Sequence, residues 1–214
     1  MSISKQELIK TLQKYQPKKI GFIDKLKISY RPMVCPFDDL LDIIPEHESI
    51  FDIGCGSGMF LSLVATYKNP EKVYGIEIDD KLIENAKKIF KNINVPSEFK
   101  KYNGNILPQE INSFKYITLI DVLHHIPKYN QIIFLKNIFD MMNEESILII
   151  KDIDRKNPLH YWNKIHDMVF SGEIGSEPNS VELQNELTNM GFKEITKSYR
   201  TMLLYPHFTL ICQK

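Results

Sequence analysis

Apolar residues along this chain recur in two rhythms, short continuous runs and longer stretches at helical spacing, and the two alternate. Ser4 and Glu7 have the form of a capping box ahead of Leu8, Ile9 and Leu12, which predicts a first helix to about Tyr15, ended by Pro17. From Ile20 to Pro36 the prolines are too many for a long helix. An amphipathic helix resumes over Phe37–Ile44 and stops at Pro45. Regular alternation follows. Strands are predicted at Ser49–Ile53, Lys72–Glu77, Ser97–Tyr102, Tyr116–Ile120 and Ser146–Ile150, the last being the most apolar. Helices are predicted over 58–67, 80–91 and 128–142, the third buried through Ile132, Leu135, Ile138 and Phe139. Val181–Met190 is a further helix with Gly191 as its C-cap. Two last strands, Lys193–Arg200 and Phe208–Cys212, flank a turn at Tyr205-Pro206-His207.

Repeated strand–helix units predict an α/β fold around a parallel sheet, and the short final connection predicts an antiparallel hairpin. The expected organisation is one domain: a helical cap over 1–45, a ligand-binding core over 46–152, an insert over 153–180, and a final helix and hairpin over 181–214. The insert carries the only tryptophan, Trp162, with Tyr161, Ile165 and Met168 at amphipathic spacing, so its helix is expected to bury Trp162 and Ile165. The cap and insert together are expected to form a lid over the ligand.

The stretch Ser49-Ile50-Phe51-Asp52-Ile53-Gly54-Cys55-Gly56-Ser57-Gly58 reads as strand, glycine turn and helix start. Alternate glycines leave the backbone bare, and the helix aims unpaired N–H groups at the same place. Glu77 lies 23 residues beyond Gly54, near the offset at which an acid meets a ribose. That offset fits both nicotinamide dinucleotides and S-adenosylmethionine. The glycine spacing favours the latter, since the dinucleotide pattern places two residues before its third glycine and this turn has one.

Four segments in order carry a resemblance: Phe51 to Gly58, Tyr74 to Asp79, Asn103-Gly104-Asn105-Ile106, and Asp121-Val122-Leu123-His124-His125-Ile126-Pro127. Together they resemble the motifs of class I S-adenosylmethionine-dependent methyltransferases, over about residues 48–152. The resemblance implies a Rossmann-like sheet of seven strands with the last antiparallel. It also implies S-adenosylmethionine as cofactor, with S-adenosylhomocysteine as product. By it, Asp52 orders the glycine turn and the methionine ammonium, and Gly54, Cys55, Gly56 and Gly58 sit against the methionine and ribose. Glu77 accepts the ribose hydroxyls, Ile78 flanks the adenine, and Asn105 with Ile106 completes the adenine site. Asn105 stands where the family often has Asp, and its amide oxygen still accepts an adenine N–H. Asp121 belongs to the fourth motif, and Arg31 is a candidate clamp for the cofactor carboxylate.

His124 and His125 follow the fourth predicted strand, and histidine is the side chain best suited to act as a base near neutral pH. Asp152, Asp154, His160 and His166 are competitors. Aromatic and apolar residues of the insert predict a pocket for a small-molecule or lipid-like acceptor, with oxygen favoured because a base is at hand. The alternatives are methylation of a protein or RNA, and a cofactor-binding protein without methyl transfer.

Composition narrows this little further. Lysine plus arginine and aspartate plus glutamate each number 27, so net charge is zero and no general nucleic-acid binder is expected. Eight basic residues lie between Lys5 and Arg31 against Glu7 and Asp24, a solvated face or a patch for an anionic substrate or membrane surface. No apolar run is long enough to span a membrane, and Met1–Glu7 lacks the apolar core of a secretory signal. Three widely spaced cysteines have no metal-ligand pattern, so no metal and a cytoplasmic setting are expected.

Overall fold

β1 (Ile50–Ile53) is buried at every position, and the chain leaves it at Gly54, where φ turns to 72°. Around this strand the computed structural model, which describes residues 3–16, 22–162, 164, 168 and 175–214, places seven strands in one sheet. Their order is β3-β2-β1-β4-β5-β7-β6, and only β7 runs antiparallel. The fold class is as the sequence predicts. The chain forms two compact units, Met1–Gly104 and Asn105–Lys214, each described by itself.

In the first unit, β1, β2 (Val73–Glu77) and β3 (Ser97–Lys101) are parallel, with Ile50 opposite Val73 and Val73 opposite Ser97. α1 (Lys5–Lys14) starts at the predicted capping box: Ser4 Oγ accepts from the Glu7 N–H, and the Glu7 carboxylate accepts from the Ser4 N–H. That bonding also holds the Glu7 carboxyl below its ordinary pKa. α1 buries Leu8 and Leu12 and is tied to α4 (Met59–Tyr67) by the Thr11–Tyr67 hydroxyl bond of 2.8 Å. α2 (Phe22–Val34) corrects the expectation of irregular chain there. Pro32 lies in its last turn, so the missing N–H removes only one helical bond, and the Cys35 N–H still reaches the Arg31 carbonyl at 2.8 Å. Of the apolar run Ile20–Ile23, Ile20 and Gly21 lie outside the described residues, as do the side chains of Phe22 and Ile23. α3 (Phe37–Ile43) and α5 (Asp80–Phe90) follow the predicted spans closely.

In the second unit, β4 (Tyr116–Ile120) pairs in parallel with β5 (Ile147–Ile153). α6 (Lys128–Met141) lies between them in sequence, and α7 (Ser180–Met190) leads into β6 (Glu194–Met202) and β7 (Tyr205–Gln213). Four expectations need correction. β5 runs on to Ile153, because β7 pairs with it as far as Ile153 opposite His207, so Lys151 and Asp152 are strand residues. The hairpin turns at Leu203-Leu204, and Tyr205-Pro206-His207 belongs to β7. α6 buries Gln131, Phe134, Leu135 and Ile138, while Ile132 is exposed and Phe139 half-buried. Gln131 can go inside because its amide donates to the carbonyls of Leu123, Ile126 and Ser176. In the insert, Trp162 is 50% exposed, against the expectation that it is buried. Ile165, His166 and most of the segment to 174 lie outside the described residues.

Candidate functional site

The first unit assembles the glycine turn from sheet bonds and bare backbone. The N–H groups of Gly54 and Cys55 both donate to the Ile76 carbonyl, at 2.8 and 3.0 Å, which pins the turn to β2. Gly56 then adopts φ 54°, a left-handed conformation, and a Cβ built there meets nothing within 4 Å. The turn therefore opens onto empty space, as a ligand cradle must. Gly58 is needed for a different reason: a Cβ there would approach Ala86 of α5 at 3.2 Å.

Glu77, nearly buried, is the second fixed point. One carboxylate oxygen accepts from the Gly56 N–H at 3.0 Å, and the other accepts from Ile78 and Asp79 at 2.7 and 3.2 Å. A carboxylate has about four lone-pair sites, so roughly one remains, on the oxygen facing the turn. Asp52 is buried on β1. Cys55 is buried too, and burial, reinforced by the Asp52 and Glu77 carboxylates, pushes its thiol well up. Both acids thus act on the turn electrostatically, a setting that suits a cationic ligand and repels a pyrophosphate. Ile78 is exposed beyond β2, and Arg31 is half-buried with its guanidinium 6.0 Å from the centre of the Phe37 ring.

Tyr102 was not signalled by the sequence. Its N–H donates to the Glu77 carbonyl at 3.1 Å, and burial, with the Glu77 and Cys55 charges, raises its phenol to about 12. It directly follows β3, and no motif marks it.

The second unit gathers a different set. Asp121 leaves β4 at φ 54°, and its carboxylate meets the fully buried Lys151 ammonium at 2.5 Å. His124 is 4% exposed, and its Nδ1 lies 2.7 Å from Asp152 Oδ1. Asp152 also accepts from the N–H groups of His124 and Ile153, at 3.1 and 2.7 Å. An ionised carboxylate only accepts, so Nδ1 donates, and in the neutral imidazole Nε2 then carries the lone pair. His125 is exposed, with its ring centre 4.1 Å from that of His124. Ligand atoms of Asp121, His124 and Asp152 lie within 4.8 Å of one another, but Lys151 already occupies the Asp121 carboxylate. Asn105 and Ile106 are exposed. Of the competing bases, Asp154 is bound to Ser180, His160 Nδ1 lies 2.9 Å from the Asn157 carbonyl, and His166 is outside the described residues.

Comparison with known proteins now decides the family. A family model described as a methyltransferase domain matches residues 30–197. The chain belongs to the methyltransferase-domain family. By family and fold it is a class I methyltransferase with S-adenosylmethionine as cofactor. Among solved structures, the fold is shared with magnesium protoporphyrin IX methyltransferase from Synechocystis PCC 6803 with bound S-adenosylhomocysteine. The TM-score is 0.68 at 17% identity, over 96% of this chain and 94% of that one. A Methanosarcina mazei S-adenosylmethionine-dependent methyltransferase gives 0.63 at 21% identity, over 82% and 96%. A chain of the Haloferax volcanii complex between the Trm112 methyltransferase activator and a methyltransferase gives 0.70 at 11% identity, over 89% and 92%. No curated protein sequence matches the chain. No helix among the described residues of this methyltransferase is long and apolar enough to cross a membrane.

Proposed function

We propose that this methyltransferase acts on a small-molecule or lipid-like acceptor, oxygen favoured, and that His124 takes the acceptor's proton. The observation carrying the proposal is the Asp152 carboxylate, whose three N–H bonds hold His124 in the tautomer with Nε2 as acceptor. When bound, S-adenosylmethionine supplies a methyl group on a sulfonium, ready for in-line displacement. The chain holds it by the bare turn at Gly54, Cys55, Gly56 and Gly58, by the remaining lone pair of Glu77, and by the exposed flank of Ile78. Asp52, buried on β1, is the proposed partner of the methionine ammonium. Arg31, Asn105, Ile106 and Asp121 are proposed contacts on the resemblance alone. His125, exposed beside His124, is the alternative base.

Labelled S-adenosylmethionine, incubated with the protein and fractionated cell extract, tests the acceptor. Label in the small-molecule or lipid pool supports the reading; label confined to protein or RNA overturns it. With that acceptor, His124→Ala and Asp152→Asn should each lower turnover roughly 100-fold or more while keeping cofactor affinity by calorimetry. Asn at 152 can donate to Nδ1 and so removes the lone pair from Nε2. Near-normal turnover in both variants would show that proximity suffices, or that His125 is the base.

A further inference from the structure

His124 stands on a turn too short to hold itself. The single helical turn Leu123–His125 is closed by the His125 N–H on the Val122 carbonyl and the Ile126 N–H on the Leu123 carbonyl, each at 3.0 Å. Tight turns of this kind have poor hydrogen-bond geometry, so the place of this one depends on what holds it from outside. Asp152 holds one side, at the His124 N–H and at Nδ1. The C-terminal root of the insert holds the other, where the Ser176 N–H donates to the His124 carbonyl at 2.7 Å.

Gln131 joins these two segments. Its amide nitrogen donates to the carbonyls of Leu123 and Ile126, at 3.0 Å each, and to that of Ser176 at 2.7 Å. One N–H of the amide is therefore shared between carbonyls. The position itself calls for an apolar side chain. Gln131 is 5% exposed and begins the buried stripe of α6 that continues at Phe134, Leu135 and Ile138. That is the i, i+3, i+4, i+7 spacing of a core-facing helix, which leucine or methionine would serve. What accounts for an amide there is the set of carbonyls. The roots of the insert are also closed on each other. The Arg155 N–H reaches the Pro178 carbonyl at 3.0 Å, and the Ser180 hydroxyl reaches Asp154 at 2.7 Å. Moving the root of the insert therefore pulls on the Gln131 amide and on the His124 carbonyl together.

We propose that Gln131 is a positioning residue. Acting through Ser176 and the turn, it fixes His124 against Asp152 and makes the root of the insert and the base one unit. This role rests on the reading of His124 as the base, and its first measurement needs no acceptor.

In protein carrying isotope-labelled histidine and saturated with S-adenosylhomocysteine, the His124 Nδ1–H should be protected from exchange with water. The spectrum of His124→Ala assigns its signal. Gln131→Met fills a similar volume without donors, and exchange of that proton should quicken roughly tenfold or more. Ser176→Pro deletes the N–H on the His124 carbonyl, leaves the α6 stripe intact, and should quicken exchange as well. It carries the test if Gln131→Met does not fold. Leu135→Ala loosens the same helix and removes no hydrogen bond, so there exchange should stay within about twofold of wild type. Unchanged exchange in Gln131→Met and Ser176→Pro overturns the proposal. So does equal quickening in Leu135→Ala, which would make Gln131 a core residue only. Turnover on the labelled acceptor pool gives the second measurement. Gln131→Met should lower it roughly tenfold or more with S-adenosylhomocysteine affinity kept, and should cost nothing further in the His124→Ala background. An equal loss in both backgrounds overturns the proposal. Near-normal turnover in His124→Ala alone removes only the base reading, and the exchange result still decides whether Gln131 positions the ring.

Discussion

At the scale of single residues, Glu77 holds the glycine turn and is a proposed contact of the cofactor. Its carboxylate satisfies the N–H groups of Gly56, Ile78 and Asp79, so it shapes the turn before any ligand arrives. Glu77→Ala leaves those donors without their acceptor and should cost roughly 1–3 kcal/mol of stability. Losing the proposed ribose-hydroxyl contact should further weaken cofactor binding by roughly 2–3 kcal/mol. Glu77→Gln should do little better, because its amide donors face either the Gly56 N–H or those of Ile78 and Asp79. Calorimetry on the two variants checks this, and wild-type affinity in the alanine variant would remove Glu77 from the site.

At the scale of elements, the end of β5 and the exit from β4 are bound by one buried charge pair. Lys151 has no exposure, and its ammonium is neutralised by Asp121 at 2.5 Å. Breaking such a pair leaves a desolvated charge, whereas removing both members is far cheaper. Lys151→Met should therefore destabilise the protein by roughly 3–5 kcal/mol in urea unfolding. Adding Asp121→Asn should recover much of that loss, since Asn removes the stranded charge and tolerates the left-handed backbone of residue 121. If the double variant is no more stable than Lys151→Met, Asp121 has another role, and the cofactor contact implied by the resemblance gains weight.

At the scale of the whole molecule, cofactor binding is linked to stability. A ligand at about 100 times its Kd adds roughly 2.7 kcal/mol to the state that binds it. For a chain of this length that corresponds to a rise in Tm of roughly 5–10 °C. S-adenosylmethionine and S-adenosylhomocysteine should both produce the shift in a thermal scan. NAD should not, because the two acids beside the turn oppose its pyrophosphate. A shift with NAD and none with S-adenosylmethionine would contradict the electrostatic reading of the turn.

The features legible in the sequence are those whose causes lie within a few residues of each other in the chain. The capping box at Ser4–Glu7, the strand–turn–helix over 50–67 and the C-cap at Gly191 depend on local backbone chemistry. Regular alternation and the short last connection indicate a parallel sheet ending in an antiparallel hairpin, and the seven strands are implied by the family resemblance. Glu77 stands out in the sequence because its offset from the glycines is itself a sequence property. The remaining features needed partners from distant parts of the chain. His124 and Asp152 are 28 residues apart, and Asp152 counted only as a competing base until β7 extended β5 past Ile150. Lys151 lies one residue past the predicted fifth strand, and its burial depends on the Asp121 carboxylate, 30 residues away in sequence. Gln131 displaces Ile132 from the core because three carbonyls converge on its amide. Local pattern determined which segments are strands and helices; long-range pairing decided where they stop and which polar side chains they bury, because a buried polar group is stable only beside its partner.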